Sequence, residues 1–111
     1  MIIVLNGYPG VGKLTTGRVL ADILGGKLLD IHTVYSVAFA LTEFKTPEFR
    51  EAVERVEEIA HGLVLKLPAG IPVVFTTVIA GDGEWGNAEW KRLEDLGAER
   101  PPFCVIHLSC D

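Results

Sequence analysis

The sequence predicts an α/β domain built on a parallel sheet. Continuous apolar runs, of the kind buried on both faces of a sheet, alternate along the chain with segments of helical periodicity. A glycine-rich turn joins the first run to the first helix. Strands alternating with helices imply right-handed βαβ crossovers, and ligands of such sheets gather outside the carboxyl ends of the strands.

Each element follows in order. Ile2 to Leu5 is a β-branched apolar run and reads as the first strand. From Lys13 the apolar positions Leu20, Ile23 and Leu24 fall at helical spacing, and Gly25-Gly26 supplies a stop. Leu28 to Ile31 reads as the second strand, its end marked by Asp30 and His32. Val34 to Leu41 suits a short apolar helix, and Thr46-Pro47 opens a longer one, with Thr46 as cap and Pro47 at the first helical position. Its apolar stripe runs through Phe49, Val53, Val56, Ile59, Ala60, Leu63 and Leu67, and it ends near Pro68. Ile71 to Phe75 is a buried-type strand flanked by Thr76-Thr77, residues 81–86 form a loop, Ala88 to Leu96 a helix, and Phe103 to Leu108 a last strand. The residues just after the strands are therefore the informative ones: 6–16, 30–33, 76–82 and 109–111.

Composition limits the functions available. The 111 residues are expected to form one domain, 1–111, with a single core burying roughly two thirds of the unfolded surface. Hydrophobic residues make up 49% and charged residues 23%, a balance that excludes disorder. The net charge is −5 and the basic residues are scattered, so no nucleic acid and no membrane partner is expected. The N-terminal apolar segment is too short for a signal peptide or a membrane span, which points to the cytoplasm. Cys104 and Cys110 lack metal-ligand spacing and read as reduced thiols.

The chemistry concentrates in residues 7–16, GYPGVGKLTT. Gly7-x-x-x-x-Gly12-Lys13 follows a strand and opens a helix, the context that makes this spacing a specific signal for phosphate binding. Glycines let the backbone wrap an anion with its N–H groups inward, and the helix N-terminus adds positive potential. Lys13 then meets the β- and γ-phosphates as a point charge. As a simple turn the same stretch would place a cation at a helix N-terminus, which the macrodipole disfavours unless an anion sits there. Leu14 stands where a magnesium-binding Ser or Thr is usual.

With these residues in place, the chain resembles the P-loop nucleotide and small-molecule kinases of the adenylate kinase, shikimate kinase and chloramphenicol phosphotransferase type. It also resembles bacterial AAA-type kinase-like proteins with GVGKLT loops. The form Gly7, Pro9, Gly10, Gly12, Lys13, Thr15 is most similar to adenylate kinase relatives. The resemblance implies a three-layer P-loop NTPase fold, with parallel strands in the order 2-3-1-4, and a domain short at its C-terminal end. It implies an ATP-dependent phosphotransferase with ATP and Mg²⁺ as cofactors and a small-molecule or nucleotide acceptor. Gly7, Tyr8, Pro9, Gly10, Val11, Gly12, Lys13, Leu14, Thr15 and Thr16 would bind the nucleotide. Thr15 would take the hydroxyl role, with magnesium held by phosphates, by waters, and through water by Thr15 and Asp30.

Other positions follow from the same resemblance. Lys13 and Asp30 are the catalytic candidates: Asp30-Ile31-His32 stands where the family has an Asp-x-Asp pair, with His32 in place of the second carboxylate, and Asp30 would accept the proton of a substrate hydroxyl. Asp30 as a cap of the following helix stays open beside that role. Residues 34–67 occupy the place of a substrate-side helical insertion, with His32 and Arg50 as weaker substrate contacts. Pairing on the helix surface is the other reading of Arg50 and Arg55. Trp85 and Trp90 read as packing or hinge aromatics, and Asp82 is a weak substitute for a magnesium aspartate. The family's lid arginines have no counterpart beyond Asp111, leaving Arg18, Arg50, Arg55, Arg92 and Arg100. A homo-oligomer supplying arginines, or a nucleotide-binding module without catalysis, are the alternatives this raises.

Overall fold

The computed structural model describes residues 1–7, 12–79 and 83–109. Its elements run β1 (Ile2–Gly7), α1 (Lys13–Leu24), β2 (Lys27–Leu29), α2 (Ile31–Leu41), α3 (Pro47–Lys66), β3 (Val73–Thr77), α4 (Glu84–Glu99) and β4 (Phe103–Leu108). The strands are parallel, in the order β2-β3-β1-β4, which is the expected 2-3-1-4.

Side-chain alternation along β1 divides the core in two, because successive residues of a strand face opposite sides. Ile2 and Val4 pack with Val73, Phe75, Val64, Leu93 and Leu96, on the face covered by α3 and α4. Ile3 and Leu5 pack with Val74 and Ala21, on the face covered by α1. Helix, sheet and helix make three layers. A further cluster of Val34, Ala38, Phe49 and Val53 joins α2 to α3.

The termini explain why the elements stop where they do. Gly25, with φ 64°, ends α1 in a left-handed turn. Its N–H donates to the Asp22 carbonyl at 3.3 Å while that of Gly26 donates to Ala21 at 2.8 Å, closing a Schellman motif. Thr46 caps α3 as expected, its Oγ1 accepting from the Phe49 N–H at 3.2 Å, with Pro47 in the first turn.

Several boundaries differ from the sequence reading. β1 continues through Asn6 to Gly7, because Asn6 and Gly7 pair with His107 and Leu108 of β4. The second strand is Lys27–Leu29 rather than Leu28 to Ile31: Asp30 takes the N-cap position and Ile31 already belongs to α2. The third strand begins at Val73, since Pro72 has no N–H for the ladder, and it includes Thr76 and Thr77. α4 starts four residues before Ala88, at Glu84.

Candidate functional site

The carboxyl ends of the parallel strands lie together, as their register requires: Asn6 is level with Thr77 on one side and with His107 on the other. Asn6 ties these ends. Its Oδ1 accepts from Thr77 Oγ1 at 2.7 Å and from the Ile79 N–H at 2.8 Å, and its Nδ2 donates to the Ile79 carbonyl at 3.1 Å. The backbone leaving β3 is thereby held beside the start of the glycine loop.

Above this edge, Gly12, Lys13, Leu14, Thr15, Asp30, Ile31, His32, Tyr35, Phe39 and Val78 line a cleft of about 380 Å³. Gly12 precedes α1 with φ 81°, a conformation that favours glycine. Lys13 is buried and its Nζ donates to the Gly7 carbonyl at 2.8 Å. Burial pushes its ammonium below the ordinary lysine value, and the Asp30 charge works in the opposite direction. Thr15 and Thr16 are exposed in the first turn of α1. Tyr8, Pro9, Gly10 and Val11, expected to complete the loop, lie outside the described residues, as do Asp82 and Cys110.

Asp30 sits at the N-cap position of α2, yet its carboxylate makes no cap bond there. Instead Asp30 Oδ1 accepts a short hydrogen bond from Thr76 Oγ1, and the same Oγ1 accepts from the Ile31 N–H at 3.1 Å. Thr76 therefore does the capping and leaves Asp30 oriented by a strand-end hydroxyl. The sequence places Thr76 among the informative positions but assigns it no role, because its partner lies 46 positions away. The available signal was its place at a strand end.

His32 is exposed in the first turn of α2 and lines the cleft. Arg50 does not line it; its guanidinium lies 5.1 Å from the Trp85 ring. Arg55, by contrast, pairs with Glu51 at 2.9 Å along the exposed face of α3, as expected of a surface pair. Trp90 packs on the core and against His107. Cys104 is an exposed free thiol.

Behind the cleft, α2, α3 and α4 share a buried polar cluster that sequence reasoning missed. Tyr35 Oη donates a short hydrogen bond to Glu89 and accepts from Trp85 Nε1 at 3.2 Å. Arg92 grips Glu57 with Nε at 2.7 Å and Nη2 at 3.4 Å, and stacks on Trp85 at 5.7 Å. Burial raises the Glu89 carboxyl above its ordinary value, and the Glu57 charge adds to that. Burial lowers His61. Burial and the bond to Glu89 keep the Tyr35 phenol far above its usual range.

The described residues suit a magnesium nucleotide in a specific way. Two helix N-termini, of α1 and α2, border one cleft with a buried lysine, which favours a polyanion. Among the described residues no group of three or more His, Cys, Asp or Glu is placed to hold a metal ion. A magnesium ion here would rely on phosphates and waters besides Asp30 and Thr15, in keeping with its reluctance to shed water. Among the described residues no helix is long and apolar enough to cross a membrane.

Comparison with known proteins agrees with this architecture. The family model of an AAA domain matches residues 3–111. A candidate kinase from Chloroflexus aurantiacus superposes with a TM-score of 0.61 at 20% identity, over 96% of this chain and 56% of that one. Shikimate kinase from Bacteroides thetaiotaomicron superposes with a TM-score of 0.57 at 20% identity, over 96% of this chain and 59% of that one. The chain thus spans a little over half the length of either structure and has their P-loop kinase fold. No curated protein sequence matches it significantly.

Proposed function

The chain belongs to the AAA domain family, with the fold of P-loop kinases, and we propose that it is an ATP-dependent phosphotransferase. In this reading the loop from Gly7 to Thr16 holds ATP with Mg²⁺. Lys13 neutralises the β- and γ-phosphates, and Thr15 contacts the phosphates from the first turn of α1. Asp30 orients and deprotonates the hydroxyl of a small-molecule or nucleotide acceptor, with His32 beside it. Magnesium, when bound, would supply charge neutralisation for the phosphates beside Lys13.

One observation carries the proposal. A single cleft brings Lys13, at the N-terminus of α1, together with Asp30, at the start of α2, and Thr76 holds the Asp30 carboxylate in a fixed orientation. Phosphoryl transfer depends chiefly on positioning and electrostatic stabilisation, and this arrangement supplies both.

A second reading, nucleotide binding without turnover, is favoured by one feature. Among the described residues lining the cleft, Lys13 is the single Lys or Arg, so charge neutralisation rests heavily on that residue and on magnesium. Calorimetric titration with ATP, followed by coupled ADP release over nucleosides, sugars and antibiotics, separates the two. The wild type should bind ATP at millimolar concentration or below, and Lys13→Ala should abolish binding. An absence of ATP and ADP affinity in the wild type would overturn both readings. Binding without ADP release favours the second.

A further inference from the structure

The cleft has two chemically different ends. Gly12, Lys13 and Thr15 form the phosphate end, while Ile31, Tyr35, Phe39 and Val78 form an apolar one. Along α2, Tyr35 and Phe39 lie one helical turn apart and so share a face. From the helical rise they stand about 7 and 13 Å further along the axis than Asp30.

The apolar end is aromatic and held in place. Both contacts of the Tyr35 hydroxyl are internal, to Glu89 and Trp85, so Tyr35 offers the cleft its ring. Phe39 is 54% exposed, yet its ring packs 6.0 Å from Tyr35, 5.8 Å from Phe44 and 5.2 Å from Phe49. An exposed ring braced by three others is a preorganised surface, because its rotamer freedom is already spent within the fold.

Charge at this end points the same way. None of the chain's five arginines lines the cleft. Arg92 is committed to Glu57, and Arg100 donates to the carbonyls of Leu67, Pro68 and Ile71. Arg55 pairs with Glu51, Arg50 lies on Trp85, and Arg18 is exposed on α1. A phosphomonoester acceptor would bring about two further negative charges to a wall without a guanidinium clamp.

We propose, building on the phosphotransfer reading, that the acceptor is an uncharged alcohol carrying a flat or apolar ring, such as a nucleoside or an aromatic alcohol. Its ring lies against Phe39 and Tyr35, and its hydroxyl reaches Asp30. In the transfer, the hydroxyl oxygen bonds to the γ-phosphorus and the bond from that phosphorus to the bridging oxygen breaks. ADP leaves with the electron pair, and the hydroxyl proton passes to the Asp30 carboxylate. Phe39 is then a specificity-determining residue.

Calorimetry on the full chain saturated with a non-hydrolysable ATP analogue and Mg²⁺ tests this. The probes are adenosine, thymidine and 4-hydroxybenzyl alcohol, against AMP, thymidine monophosphate and ringless glycerol. The ring alcohols should bind at least about tenfold tighter than the monophosphates and glycerol, and Phe39→Ala should weaken them on the order of tenfold, the scale of one ring-stacking contact. Phe39→Leu keeps apolar bulk at a half-exposed position and should lose less. Monophosphates binding more tightly than their parent nucleosides, ring alcohols binding no better than glycerol, or unchanged affinity in both Phe39 variants would overturn the proposal. ATP affinity in the wild type is measured alongside: its absence sinks the phosphotransfer reading as well, whereas its presence with the wrong acceptor order sinks this inference alone.

Discussion

The two ends of the cleft are built in opposite ways. The end proposed to take phosphate comes from one contiguous stretch, residues 7–16, in whose described part Gly12, with φ 81°, leads into the first turn of α1. The far end is assembled from α2 and the backbone beyond β3, and is braced from behind by α3 and α4 through Tyr35–Glu89 and Arg92–Glu57. Asp30 belongs to both, reaching Lys13 electrostatically and Thr76 by hydrogen bond. A local loop can bind an anion by itself, whereas placing a second reactant requires that distant elements pack correctly.

The largest test of that division falls on Asp30. Asp30→Asn keeps the shape and removes the proposed base, so ADP release should fall by about 10²–10⁴-fold while ATP affinity holds. Thr76→Val, which leaves the carboxylate but removes its orienting hydroxyl, should lose less in the same assay. Equal losses of ATP affinity and turnover in Asp30→Asn would place Asp30 at the phosphate end instead.

The bracing cluster should matter to stability more than to the phosphate loop. Arg92→Ala strands the carboxylate of Glu57, whose side chain is 10% exposed, and should cost about 2–3 kcal/mol in denaturant unfolding. An unchanged midpoint would show that the cluster does not hold the apolar end in place.

The smallest effect is in pH dependence, where two groups of the cluster act oppositely. His61 is held below its ordinary value of 6.5, so its contribution is present above pH 6.5 and lost as pH falls through its folded value. Glu89 is held above its ordinary value of 4.5, so its contribution is present below pH 4.5 and lost as pH rises through its folded value. Thermal unfolding at pH 7.5 and 5.5 should therefore show a smaller loss on acidification in His61→Gln than in the wild type, and a larger one in Glu89→Gln. Parallel shifts in all three proteins would mean that neither group titrates with folding.

Legibility in the sequence follows the same division. β1 and α1 are readable because each signal is local: a β-branched run and a Gly-Gly stop. Thr46-Pro47 announced α3 for the same reason. Strand ends were misplaced where a distant partner decided them, as at Asn6 and Gly7, extended by β4, and at Asp30, relieved of capping by Thr76. Arg50 reads in the sequence as a weak substrate contact or a surface pair, and only the packing of α4 lays it on Trp85.

The sequence by itself determined the layered α/β architecture, the placing of Lys13 at the start of α1 and that of Asp30 just after β2. Backbone conformation and hydrophobic periodicity act over a few residues, so they can be read along the chain. Only the tertiary structure decided that Thr76 orients Asp30, that Tyr35 shows its ring rather than its hydroxyl to the cleft, and that no arginine lines it. Those outcomes depend mostly on pairings between residues distant in sequence, such as Arg92–Glu57 and Tyr35–Glu89, which exist only once the sheet brings its helices together.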